Sequence, residues 1–119
     1  MKPVPAALRD LLATEHQALY AYGVLGARLA DPERATALSA LHGHQAARDA
    51  LTGLLRATDG AVPGPALAYE IEVGTRAEAL ALAVRVETDL GVRWRDLVGL
   101  TDDVPLRRLA VQQLSDTAV

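Results

Sequence analysis

The sequence predicts an all-α protein, a four-helix bundle in up-down-down-up order with a long crossover strap between helices 2 and 3. Three observations carry this. Apolar residues recur at spacings of three and four through four separate stretches. The connections around residues 31–33 and 99–103 are too short for anything but helical hairpins. The stretch 59–74 is long and holds Gly60, Pro63, Gly64, Pro65 and Gly74. At roughly 3.3 Å per residue it can span about 50 Å. Helix 1, at roughly 39 Å, is shorter than that.

Helix 1 is expected from about Ala6 to Ala30, with Pro5 in its first turn. Leu8, Leu11, Glu15, Ala18, Tyr22, Leu25 and Leu29 form one stripe, apolar except at Glu15. A charge inside a packing seam is costly unless something pairs with it. Gly23 and Gly26 fit either close approach of a neighbouring helix or simple tolerance. Asp31 suits an N-cap and Pro32 the first position of helix 2. The helix 2 seam reads Ala37, Leu41, His44, Arg48, Leu51 and Leu55, again polar in the middle.

The strap ends on Ala68–Val73, where apolar and acidic residues alternate. This reads as an extended segment with Ile71 and Val73 packed inward. Thr75 and Glu78 form a capping box at the start of helix 3. Its seam is Leu80, Ala83, Glu87, Leu90, Trp94 and Leu97. The other faces are also apolar, so either the strap or a second subunit covers them. Asp102 or Asp103 caps helix 4, whose stripe is Leu106, Leu109, Gln113 and Asp116.

Composition narrows the function classes. The 119 residues suit one domain spanning 1–119, and half of them are hydrophobic. There is no Phe, so Leu, Val and Ala build the core. The net charge is −3 and basic residues are scattered, which argues against a nucleic-acid partner. Without cysteine, disulfides, zinc-thiolate sites and thiol chemistry are excluded. No signal peptide or long apolar run is present, so the expectation is a cytoplasmic protein without a membrane partner.

Two segments carry a family resemblance. Glu15-His16-Gln17-Ala18-Leu19-Tyr20-Ala21-Tyr22-Gly23 resembles the opening helix of small actinobacterial ferritin-like domains of unknown function. His42-Gly43-His44-Gln45-Ala46-Ala47-Arg48-Asp49 resembles their second helix, and Pro65–Tyr69 with Leu82–Glu87 their third segment. The resemblance covers nearly the whole chain and implies the ferritin-like bundle. It implies no activity.

The polar seam positions raise the question of metal. Di-iron bundles use one Glu on each of two helices and Glu-x-x-His on each of the other two. Hard carboxylates bridge the metals, and i, i+3 spacing places Glu and His on one face. Here Glu15, His44 and Glu87 match, with Asp116 as a fourth candidate ligand. Leu41 stands where the helix 2 carboxylate belongs, so a degenerate di-iron site is expected. A single iron or manganese ion on Glu15, His44 and Glu87 is one alternative. The favoured reading is a metal-free network in which Arg48 forks to one carboxylate and His44 donates to the other.

His16 and His42 fall off that face, and Tyr22 shares the seam with its hydroxyl bonded. No catalytic triad, phosphate loop or nucleotide fingerprint is present. The expected role is a non-enzymatic interaction or scaffold module, a homodimer through the outer faces of helices 1 to 3. The alternatives are an iron- or manganese-binding oxidoreductase or iron-handling protein, and a small-ligand binder. A ligand cavity would be opened by Gly23, Gly43 and Gly91 and would touch Glu15 or His44.

Overall fold

The computed structural model describes residues 4–58 and 61–117, with side chains through Leu114. Four helices and no strand occur among them: α1 (Val4–Gly26), α2 (Glu33–Arg56), α3 (Arg76–Leu100) and α4 (Val104–Thr117). No described helix is long and apolar enough to cross a membrane.

The whole α1 stripe is buried, Glu15 included. The helix stops at Gly26 rather than Ala30. Arg28 and Leu29 donate backward to the carbonyls of Leu25 and Gly26, tightening the last turn into three-residue steps. Leu29 still packs inward from outside the helix. A Cβ on Gly23 or Gly26 would meet nothing within 4 Å, so neither glycine marks a helix contact. The expected Asp31 cap is absent: Pro32 takes the N-cap position, with no side-chain hydrogen bond there.

Three other ends are held by side chains. Thr75 Oγ1 accepts from the Glu78 N–H at 3.2 Å. Glu78 Oε1 accepts from the Thr75 hydroxyl at 3.1 Å and from the Gly74 N–H at 3.2 Å, one residue earlier than the standard box. Asp103 caps α4 by accepting from Leu106 N–H at 3.1 Å. Arg107 returns to the end of α3 and donates to the Val98 and Thr101 carbonyls at 2.7 and 3.0 Å.

The core has two clusters. The first draws on all four helices: Leu8, Leu11 and Leu12 of α1, Leu51 and Leu55 of α2, Trp94 and Leu97 of α3, Leu106 and Ala110 of α4. Each such Leu contributes roughly 1.5–3 kcal/mol by leaving water. The second uses Ala21, Tyr22 and Leu25 of α1, Ala37 of α2, Ala79 and Leu82 of α3, and Val73 of the intervening segment. In this half the α3 seam is turned by one residue from the expected one. Ala79 and Leu82 are buried, while Leu80 and Ala83 are only partly so.

The segment preceding α3 lies against α1. His16 Nε2 is 3.1 Å from the Pro63 carbonyl oxygen. Tyr20 and Tyr69 meet with ring centroids 5.3 Å apart. Arg28 Nε donates to the Val73 carbonyl at 3.0 Å. At the start of the two central helices, Arg76 forks onto Glu33 through bonds of 2.7 and 2.6 Å.

Candidate functional site

Between the two clusters α1 presents Glu15, α2 His44, and α3 Glu87. Glu15 is completely buried and His44 nearly so, with 6% exposed. His44 Nδ1 lies 3.1 and 3.0 Å from the two Glu15 oxygens. His44 Nε2 lies 2.8 Å from Glu87 Oε1. Both ring nitrogens therefore face a carboxylate, which makes the doubly protonated imidazolium the fitting form. Tyr22 donates its hydroxyl to the same Glu87 oxygen. Its ring also lies 5.3 Å from that of His44, at 31°. The Glu87 side chain is 26% exposed, so the layer opens to water at that end alone of its three ionisable members.

Arg48 does not join this layer. From His44 the seam of α2 steps three residues to Ala47, which is fully buried, and then to Leu51. Arg48 is thereby turned to the edge, where its Nε donates to Asp49 at 3.0 Å. The positive charge between the carboxylates comes from His44. Leu41 packs against the second cluster. Gln113 is buried on α4, and the Asp116 side chain lies outside the described residues.

Residues 7–119 match the model of a family described as a domain of unknown function, DUF4439. The chain belongs to that family. Its fold is similar to the crystal structure of a conserved hypothetical protein, rv2844, from Mycobacterium tuberculosis. The TM-score is 0.90 and the identity 32%, over 97% of this chain and 89% of that one. No curated protein matches the sequence.

The electrostatics of this DUF4439 chain follow from the geometry. Burial would push the His44 pKa down, but the hydrogen bonds and charges of Glu15 and Glu87 overcome it and raise it to about 9. Burial would raise the Glu87 pKa, yet the hydrogen bonds from His44 and Tyr22 hold it below the usual range. Tyr22 is pushed far above the ordinary phenol value, by burial first and then by its bond to Glu87. At neutral pH the layer thus holds imidazolium, ionised Glu87 and neutral phenol. No buried side-chain polar atom lacks a partner among the described residues.

The remaining polar candidates of this DUF4439 chain lie elsewhere. His16 serves the Pro63 carbonyl, and His42 is exposed. Two grooves follow the crease between α1 and α3. One, of about 490 Å³, is lined by residues including Thr14, Gln17, Glu72 and Arg85. The other is lined by residues including Asp10, Val92, Arg95 and Leu100. Neither is lined by Glu15 or His44, the residues that a cavity of the small-ligand alternative would touch. Sequence reasoning missed the Tyr22–Glu87 bond. The shared seam of Glu15 and Tyr22, seven residues apart, was the available signal.

Proposed function

We propose that the chain is a ferritin-like up-down-down-up four-helix bundle in which a buried ion-pair network stands in place of a metal centre. Its role is that of a non-catalytic interaction module, homodimeric and cytoplasmic. Four contacts support the helix order. Asp10 with Arg93 and Tyr22 with Glu87 set α3 antiparallel to α1. Glu15 with His44 does the same for α2, given its neighbours in both clusters. The Glu33–Arg76 fork joins the beginnings of α2 and α3. The intervening chain must then travel back along the length of α2, which is the crossover strap.

The observation that carries the network reading is the engagement of both His44 nitrogens by carboxylates. A metal ligand needs an imidazole nitrogen free of its proton. The donor set does not fit a two-metal centre either. Leu41 supplies no ligand three residues before His44, and the Glu-x-x-His pattern is absent from α2. A buried charge set of this kind specifies which faces meet more than it adds net stability.

The test is metal analysis of protein purified from cells grown with added iron and manganese. The expected outcome is well under one metal ion per chain. Stoichiometric iron or manganese, lost on Glu15→Ala or Glu87→Ala, would overturn the network reading in favour of an iron-handling protein.

A further inference from the structure

The face of α3 opposite its core seam carries Ala77, Ala81, Val84, Thr88 and Val92. All five are exposed, Val84 by 65% and Val92 by 44%. Their spacings of four, three, four and four make one stripe without a charge over four turns. An ordinary solvent face of a helix is charged or polar. The strap does not cover this one. It packs Ile71 and Val73 beside Ala79 and Leu82, to one side of the stripe. The first cluster takes α4 against Trp94 and Leu97, on the core side.

We propose that a second copy of this chain docks here, α3 against α3 and antiparallel about a two-fold axis. The inference rests on the homodimer reading above and names its face. The charges beside the stripe choose the partner. Arg85 has no hydrogen bond or ion pair among the described residues, and Asp89 lies one turn further on, bonded to Arg93 at 3.2 Å. In an antiparallel pair centred between them, Arg85 of each copy meets Asp89 of the other, twice over. The same register brings Ala81 and Val84 of one copy over the stretch of the other stripe that carries Thr88 and Val92. A self-complementary patch is what a two-fold interface requires.

Sedimentation equilibrium on the full chain tests this, with helicity checked by circular dichroism. The wild type is expected as a dimer. Val84→Glu, at an exposed position, should raise the dimer Kd by at least about 100-fold. Arg85→Asp and Asp89→Arg should each raise it about tenfold, and the double swap should recover most of the loss. Leu38→Glu, on the exposed side of α2, should change nothing. A dimer indifferent to Val84→Glu, or one that the double swap fails to restore, overturns this face and leaves the homodimer reading standing. A monomeric wild type overturns both.

Discussion

Two charge clusters join α1 to its neighbours in the same pattern, a cation held between two carboxylates. In one, His44 sits between Glu15 and Glu87. In the other, Arg93 sits between Asp10 and Asp89. Asp10 precedes Glu15 by little more than one helical turn. The first cluster is buried, and its cation loses its charge only as pH rises through about 9. The second is on the surface, with all three side chains about a third or more exposed and a cation that stays charged. The same charges therefore have different consequences. Burial makes the first set obligatory once formed, because removing any member strands the others away from water. Solvent makes the second nearly optional.

Glu15→Ala breaks the comparison most sharply. It leaves an imidazolium in the core without its main counter-charge and should cost about 3–5 kcal/mol in urea unfolding. The pH dependence comes next. The His44 pKa is raised, so its contribution is complete below the ordinary value of 6.5 and is lost as pH rises through about 9. The loss should approach about 3 kcal/mol, and His44→Gln should flatten that alkaline limb. Glu87 works in the opposite direction: its lowered pKa removes stability as pH falls below 4.5. Tyr22→Phe deletes one bond to an ionised acceptor and should cost about 1–2 kcal/mol. Arg93→Ala should be the mildest, below about 1 kcal/mol and smaller still in high salt. If Arg93→Ala matched Glu15→Ala in cost, burial would not be what separates the clusters.

The α1 stripe could be read from the sequence because only one face of that helix is continuously apolar. Glu15, His44 and Glu87 could be found for the same reason, as charges interrupting apolar runs. Arg48 shows where the reading failed. A seam can step three or four residues from His44, and both steps stay on one side of the helix. Only packing against α1 selects Ala47 over Arg48, and alanine gives little signal in a hydrophobicity pattern. The α3 seam shifted for a related reason. A helix apolar nearly all round offers several candidate stripes, and periodicity cannot rank Ala79–Leu82 against Leu80–Ala83. The Tyr22–Glu87 bond depends on the spacing between two helices, which no single-helix pattern contains.

Two of the contacts that hold residues 61–75 to α1 end on main-chain oxygens, those of Pro63 and Val73. A carbonyl is supplied by every residue type. The recognition elements are His16 and Arg28, both on the α1 side. Mutational drift at 63 can therefore replace the side chain without deleting the acceptor, whereas Val73 is also held by the burial of its side chain in the second cluster. The segment's route along α1 is thus encoded partly in the residues that receive it, and outside Tyr69, Ile71 and the buried Val73 it is left open to sequence divergence.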